Sequence, residues 1–120
     1  MKVGVDIIEI ARIARVIEKY SGFRDRVFTP EEQLYCESRP NPSQHYAARF
    51  AGKEAVGKAL GSGVHFTWLE IEISGRPKPS VKLSGSTLMF AERVGAGSID
   101  LSMTHSRDLA TAVCILEDKK

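Results

Sequence analysis

The sequence is short of every feature that would take it out of the ordinary globular class. It has only two cysteines in 120 residues, Cys36 and Cys114. They lie far apart, with no second Cys or His at metal-ligand spacing, so neither a zinc site nor a redox pair is indicated and both read as free thiols. No apolar run approaches the ~20 residues that span a bilayer, which argues against a membrane segment. The opening MKVGVDIIEI is broken by Asp6 and Glu9 instead of ending in a small-residue cleavage site, so a cytoplasmic location is expected. A formal net charge of +2 is too small to imply nucleic-acid binding by itself, and the aromatics show no stacking pattern. Such a charge still tolerates an anionic substrate or an acidic partner. There is no repeat, low-complexity stretch or linker, so residues 1–120 form one domain, which at this size buries roughly two-thirds of the surface of its unfolded chain.

What is present alternates between the two structural periods. Residues 1–8 are a β-branched apolar run that predicts a strand buried on both faces, and 9–20 carry helical spacing through Ile10, Ile13, Val16 and Ile17. Thr29-Pro30-Glu31-Glu32 is a capping box with proline at the first helical position, opening a short helix that runs to about Ser38. The prolines of 39–42 make a connector, 43–60 is the longest helix, and Gly61-Ser62-Gly63 stops it. Beyond it, 68–74 and 81–83 read as strands around a turn at 75–79, and 86–94 as a helix. The last two strands, 99–105 and 109–116, are joined by Ser106-Arg107-Asp108. Helices and strands without regular βα alternation predict an α+β fold with antiparallel pairing.

Several polar residues are not explained by a core. Asp6 lies within an apolar strand, where it reads equally as a strand end in water, a cap for the following helix, or a metal or catalytic group. Glu54 shares a helical stripe with Tyr46, Ala47, Phe50 and Ala51, the side expected to pack inward, and Lys58 follows one turn later. Alone, Glu54 and Lys58 are an ordinary pair four residues apart. Taken with Asp6 they make a coherent phosphate site, because Mg²⁺ is held by one or two carboxylates while substrate phosphates and water complete its octahedron. His105 ends a strand, where it reads either as a satisfied structural residue or as a contact to a phosphate or a base edge. A hydrolase triad of Ser106, His105 and Asp108 is rejected, since neighbours in one turn rarely reach the required geometry. Arg12, Arg15 and Lys19 form a basic stripe on the first helix, extended by Arg24 and Arg26.

Three segments resemble the holo-acyl-carrier-protein synthases among the 4′-phosphopantetheinyl transferases: GVDIIEIARI at 4–13, RFAGKEAVGKALG at 49–61 and LSMTHSRDLATAV at 101–113. The second is the most specific, and FTPEE at 28–32 and WLEIEI at 68–73 fall in the family's order. The resemblance implies an antiparallel sheet packed against a long central helix and shorter helices. It also implies transfer of 4′-phosphopantetheine from coenzyme A to a serine of an acyl carrier protein, and a homotrimer with active sites between subunits. By position it makes Asp6 and Glu54 the Mg²⁺ ligands and turns Lys58 toward the coenzyme A phosphates. Arg49, Gly61, Pro77 and His105 fall near the nucleotide, and Arg12, with Arg15 beside it, meets the carrier protein. This chain departs from the family at Gly52, where alanine is usual, in the turn Gly75-Arg76-Pro77-Lys78-Pro79, and at Glu70, often Asp.

The implied reaction is attack of the carrier serine on the β-phosphorus of coenzyme A with release of 3′,5′-ADP, Glu54 being the first candidate for the base. The rival from another class is a non-catalytic module that binds a carrier protein or nucleotide. Because acyl carrier proteins are acidic, the basic stripe reads as a docking surface. Arg12→Ala is therefore expected to raise the KM for carrier protein more than that for coenzyme A in steady-state kinetics; equal effects on both would remove the docking role.

Overall fold

The structure, a computed structural model, describes residues 1–61, 67–75 and 77–120, so Ser62 and Gly63 of the helix stop and Arg76 of the turn lie outside the described residues. Strand β1 (Lys2–Glu9) leads into four helices, α1 (Ile10–Lys19), α2 (Phe23–Val27), α3 (Pro30–Glu37) and α4 (Pro42–Leu60). A 3₁₀ turn (Trp68–Glu70) precedes the hairpin β2 (Ile71–Ser74) and β3 (Ser80–Leu83), after which come α5 (Gly85–Arg93), β4 (Ala96–His105) and β5 (Leu109–Asp118). The main sheet is antiparallel in the order β1-β5-β4, and β2-β3 forms a second ribbon. The α+β reading with antiparallel pairing holds.

Two elements differ from expectation. Helix α2 follows the turn at Ser21-Gly22 without a side-chain cap, and is held by burial of Val27 and by the Arg24–Glu37 ion pair at 2.9 Å. The strand expected from Trp68 begins only at Ile71, because the Lys53 ammonium donates hydrogen bonds to the carbonyls of both Trp68 (2.9 Å) and Ile71 (2.6 Å) and holds the backbone between them in a 3₁₀ turn.

Helix α4 crosses the sheet as the central element. Tyr46 to Arg49, Ala51 to Lys53, Ala55 to Gly57, Ala59 and Leu60 are all buried. Enclosed by the sheet on one side and by α1–α3 and the β2-β3 ribbon on others, it shows none of the apolar-polar segregation of a surface helix. The expected inward stripe holds in part: Tyr46, Ala47 and Ala51 are buried, but Phe50 and Glu54 are only half-buried and Lys58 is exposed, so the row opens toward its C-terminal end.

Strand β1 also departs from the reading of burial on both faces. Gly4, Asp6 and Ile8 point toward α4, whereas Val3, Val5 and Ile7 are 58, 55 and 62 % exposed on the opposite face. Val113 and Ile115 of the neighbouring β5 are exposed as well, so the outer face is aliphatic and exposed across β1 and β5, while β4 continues it with Asp100 and Ser102.

The inner face depends on Gly4. A methyl at this position would collide with the Ala55 carbonyl oxygen and lie 2.7 Å from the Ala59 amide nitrogen. Backbone meets backbone here, with alanines at 51, 55 and 59 supplying the low ridge. Gly52 plays a lesser part: a methyl there would fall 2.6 Å from the Ile73 side chain, so the alanine usual in the family would have to displace a packed methyl. Glu70, the other departure, caps α5. Its carboxylate accepts hydrogen bonds from the Thr87 hydroxyl (2.7 Å) and amide (2.9 Å) and from the Ser86 hydroxyl (2.8 Å). These bonds, from Thr87 first and then Ser86, hold its pKa at about 2.

Gly4→Ala is expected to destabilise by about 3 kcal/mol in denaturant titration, the upper end for an added methyl because neither colliding group can rotate away. Gly22→Ala, where a methyl meets open space, is the matched control and should change stability little.

Candidate active site

Gly4 brings β1 against the C-terminal half of α4, and two residues further along the strand Asp6 meets the open edge of that helix. Asp6 and Glu54 line one cavity of about 380 Å³ together with Ile7, Arg12, Phe23 and Phe50. Burial raises the Glu54 carboxyl above its usual pKa range, and the charge of Asp6 raises it further, while Lys58 opposes both. The Lys58 ammonium donates to Asp6 Oδ1 at 3.1 Å and to the Val5 carbonyl at 2.9 Å. The two acids and the lysine singled out from the sequence thus converge. Among the described residues no third His, Cys, Asp or Glu completes a metal cage. Two hard oxygen donors suit Mg²⁺, which leaves most of its coordination to substrate phosphate and water.

A second cavity of about 300 Å³ gathers Arg49, Pro77 and His105 with Tyr35, His45 and Thr104. Arg49 is buried, its guanidinium 4.1 Å above the Tyr35 ring, and its Nε has no hydrogen-bond partner among the described residues. A buried cation with an unused donor at a cavity wall is suited to an anion. His105 Nε2 is 2.7 Å from Gln44 Nε2, at the first turn of α4. Pro77 lines this cavity, and the next residue, Lys78, forms an exposed ion pair with Asp100 at 2.6 Å. Gly61 is the C-cap of α4 with φ of 76°, a left-handed conformation suited to glycine. The two cavities share no lining residue: His45, Ala48 and Arg49 of α4 face the second, Phe50 and Glu54 the first. His105 lines the second cavity and not the acid-lined one.

The basic stripe divides. Arg12 borders the acid-lined cavity, whereas Lys19 and Arg26 flank a further groove with Tyr20 and Phe23. Arg15 is exposed. Arg24 is not part of a free stripe, being committed to Glu37, which also accepts the Tyr46 hydroxyl at 2.7 Å. Both cysteines are free and buried, and desolvation pushes their pKa values up to about 12 for Cys36 and about 11 for Cys114.

The residue that sequence reasoning missed is Lys53. Fully enclosed, it pairs with the equally enclosed Glu32 at 2.8 Å. Glu32 also accepts from the Thr29 amide, closing the expected capping box, and from the Ile73 amide at 2.8 Å. The available signal was a lysine set among Gly52, Ala55, Val56 and Gly57, where no polar face exists to carry it out to water.

The 4′-phosphopantetheinyl transferase superfamily profile matches residues 2–114. The holo-[acyl-carrier-protein] synthase of Koribacter versatilis is 38 % identical over 120 residues, covering 96 % of each chain. That of Chlamydia muridarum is 47 % identical over 119 residues, covering 96 % of this chain and 93 % of the relative. Among solved structures, the Neisseria meningitidis holo-[acyl-carrier-protein] synthase superposes with a TM-score of 0.89 at 31 % identity, covering 98 % of both chains. The Helicobacter pylori enzyme in complex with coenzyme A gives 0.83 at 31 % identity, covering 96 % of this chain and 99 % of that one. A long helix laid across an antiparallel sheet, with one acid contributed by each, therefore has a family: the chain belongs to the 4′-phosphopantetheinyl transferase superfamily.

The raised pKa of Glu54 carries a sign that can be tested. A carboxyl group raised in the folded state favours folding only while protonated, so its ionisation costs stability as pH climbs past the unfolded value of about 4.3. Glu54→Gln is expected to raise the melting temperature at pH 7, and the gain should vanish below about pH 4, where the native side chain is protonated in both states. A lower melting temperature at pH 7 would contradict this electrostatic reading.

Proposed function

We propose that this chain transfers the 4′-phosphopantetheine arm of coenzyme A to a serine hydroxyl of an apo acyl carrier protein, releasing 3′,5′-ADP, and that it acts in the cytoplasm. The observation that carries the mechanism is the convergence of Asp6 and Glu54, distant in sequence, on one cavity wall. Asp6 and Glu54 would hold Mg²⁺, which when bound supplies neutralisation of charge on the phosphoryl oxygens. Lys58, tethered by a flexible stem at the same edge, neutralises a further phosphate oxygen. Glu54, on the wall of the same cavity, is the group that takes the proton of the attacking serine, at a carboxylate oxygen not given to the metal. Arg12, at the rim, positions the acidic carrier.

The nucleotide half of coenzyme A fits the second cavity, where Arg49 and His105 offer cationic and hydrogen-bonding groups and Pro77 an apolar wall. Two features support a homotrimer with sites at subunit boundaries. One is the uncovered aliphatic face made by Val3, Val5, Ile7, Val113 and Ile115. The other is the separation of the two cavities within a chain, which a neighbouring copy could close by setting its His105 beside this Asp6. Among the described residues no helix is long and apolar enough to cross a membrane.

Purified protein incubated with apo carrier, coenzyme A and Mg²⁺ should add the phosphopantetheine mass to the carrier by mass spectrometry, and a chelator should abolish the addition. Asp6→Asn and Glu54→Gln should each lower kcat by at least ~100-fold while leaving the circular dichroism spectrum unchanged, the scale of losing one preorganised electrostatic group. Retention of carrier binding with no turnover in the unmodified protein would favour the docking module instead.

A further inference from the structure

Lys58 stands one turn beyond Glu54 on the open edge of α4. Half of its side chain is exposed, 53 %, yet its ammonium is turned back onto β1, bound to the Val5 carbonyl at 2.9 Å and to Asp6 Oδ1 at 3.1 Å. Asp6 itself is only 16 % exposed. Two carboxylates and one ammonium share a partly enclosed space, and the lysine already neutralises half of the acid pair. A divalent cation on the same acids would stand close to a fixed positive charge, an unfavourable juxtaposition in a region of reduced dielectric. An anionic diphosphate reverses that balance by giving the ammonium another partner at the same edge.

We propose that Lys58 is a built-in competitor for the divalent cation, occupying Asp6 until a diphosphate draws its ammonium away, so that metal and nucleotide bind cooperatively through this one side chain. The inference rests on the reading that Asp6 and Glu54 hold the metal. It adds that the site rejects bare metal and that the lysine couples the two ligands. Because binding coupling is reciprocal, metal raises nucleotide affinity by the same factor as nucleotide raises metal affinity. The stem of Lys58 is long enough to swing between the two partners without movement of α4, and the Val5 carbonyl it leaves lies at an exposed strand position where water can replace it.

The probe is Mn²⁺, titrated by calorimetry and by loss of its free-ion electron paramagnetic resonance signal, into the full chain with and without saturating coenzyme A. The unmodified protein should bind Mn²⁺ at least about fivefold more tightly with coenzyme A than without it, the low end of allosteric couplings. Lys58→Met should bind Mn²⁺ at least about fivefold more tightly than the unmodified protein when coenzyme A is omitted, with the coupling factor correspondingly reduced. Lys58→Gln, which keeps a donor on a shorter stem but no charge, should behave as Lys58→Met does and serves if that variant fails to fold. Unchanged or weaker Mn²⁺ binding by these variants without coenzyme A overturns the competitor role. If instead Mn²⁺ binds the Lys58→Met protein equally well after Asp6→Asn is added, the metal lies elsewhere and the functional reading itself is wrong.

Discussion

The arrangement of this molecule depends on a carboxylate and an ammonium that no water reaches. Glu32, at the first turn of α3, and Lys53, mid-way along α4, are both fully enclosed and 2.8 Å apart. Their remaining hydrogen-bonding capacity goes to the backbone of Thr29, Trp68, Ile71 and Ile73. Enclosing two charges costs several kcal/mol per ion, and loss of one partner from such a pair typically costs about 3–5 kcal/mol. The pair is therefore better understood as a device that selects one arrangement than as a source of net stability. With Lys53 facing α3 and β2, the next residue, about 100° around the helix, is directed toward β1. The rotational setting of α4 that places Glu54 opposite Asp6 is thus held from the far side of the helix.

Translation is set on the near side. Gly4 and the alanine ridge at 51, 55 and 59 bring strand and helix to backbone contact. Two acids more than forty residues apart then share a wall without a long side chain having to reach. Cavity, charge and packing are in this sense one problem: the smallness of Gly4 and the enclosure of Lys53 serve a site to which neither belongs.

Most of the element order was legible in the sequence because its punctuation is strong. The capping box at Thr29, the prolines of the 39–42 connector and the apolar periods each specify a local geometry with little competition. The acid pair was legible for a different reason, since a carboxylate in an apolar strand needs an explanation that packing does not provide. What was not legible is anything decided by enclosure. The stripe read as inward on α4 is buried at Tyr46, Ala47 and Ala51 but open at Phe50, Glu54 and Lys58, because a helix surrounded on nearly every side carries no periodic polarity from which to read orientation. The 3₁₀ turn at Trp68 was read as strand, because its cause is an ammonium fifteen residues upstream. The outward side of β1 was read as core, because composition cannot separate a face covered by this chain from one that it leaves bare.

That bare face has a consequence for how the molecule behaves in solution. Val3, Val5 and Ile7, with Val113 and Ile115 beside them, present a hydrophobic strip that the isolated polypeptide leaves in contact with solvent. Anything that covers the strip in the native state, and has no affinity for the unfolded chain, adds to the free energy of unfolding in proportion to the logarithm of its concentration. Where that cover is another copy of the same polypeptide, dilution acts as a denaturant, and melting temperatures become comparable only at matched protein concentration.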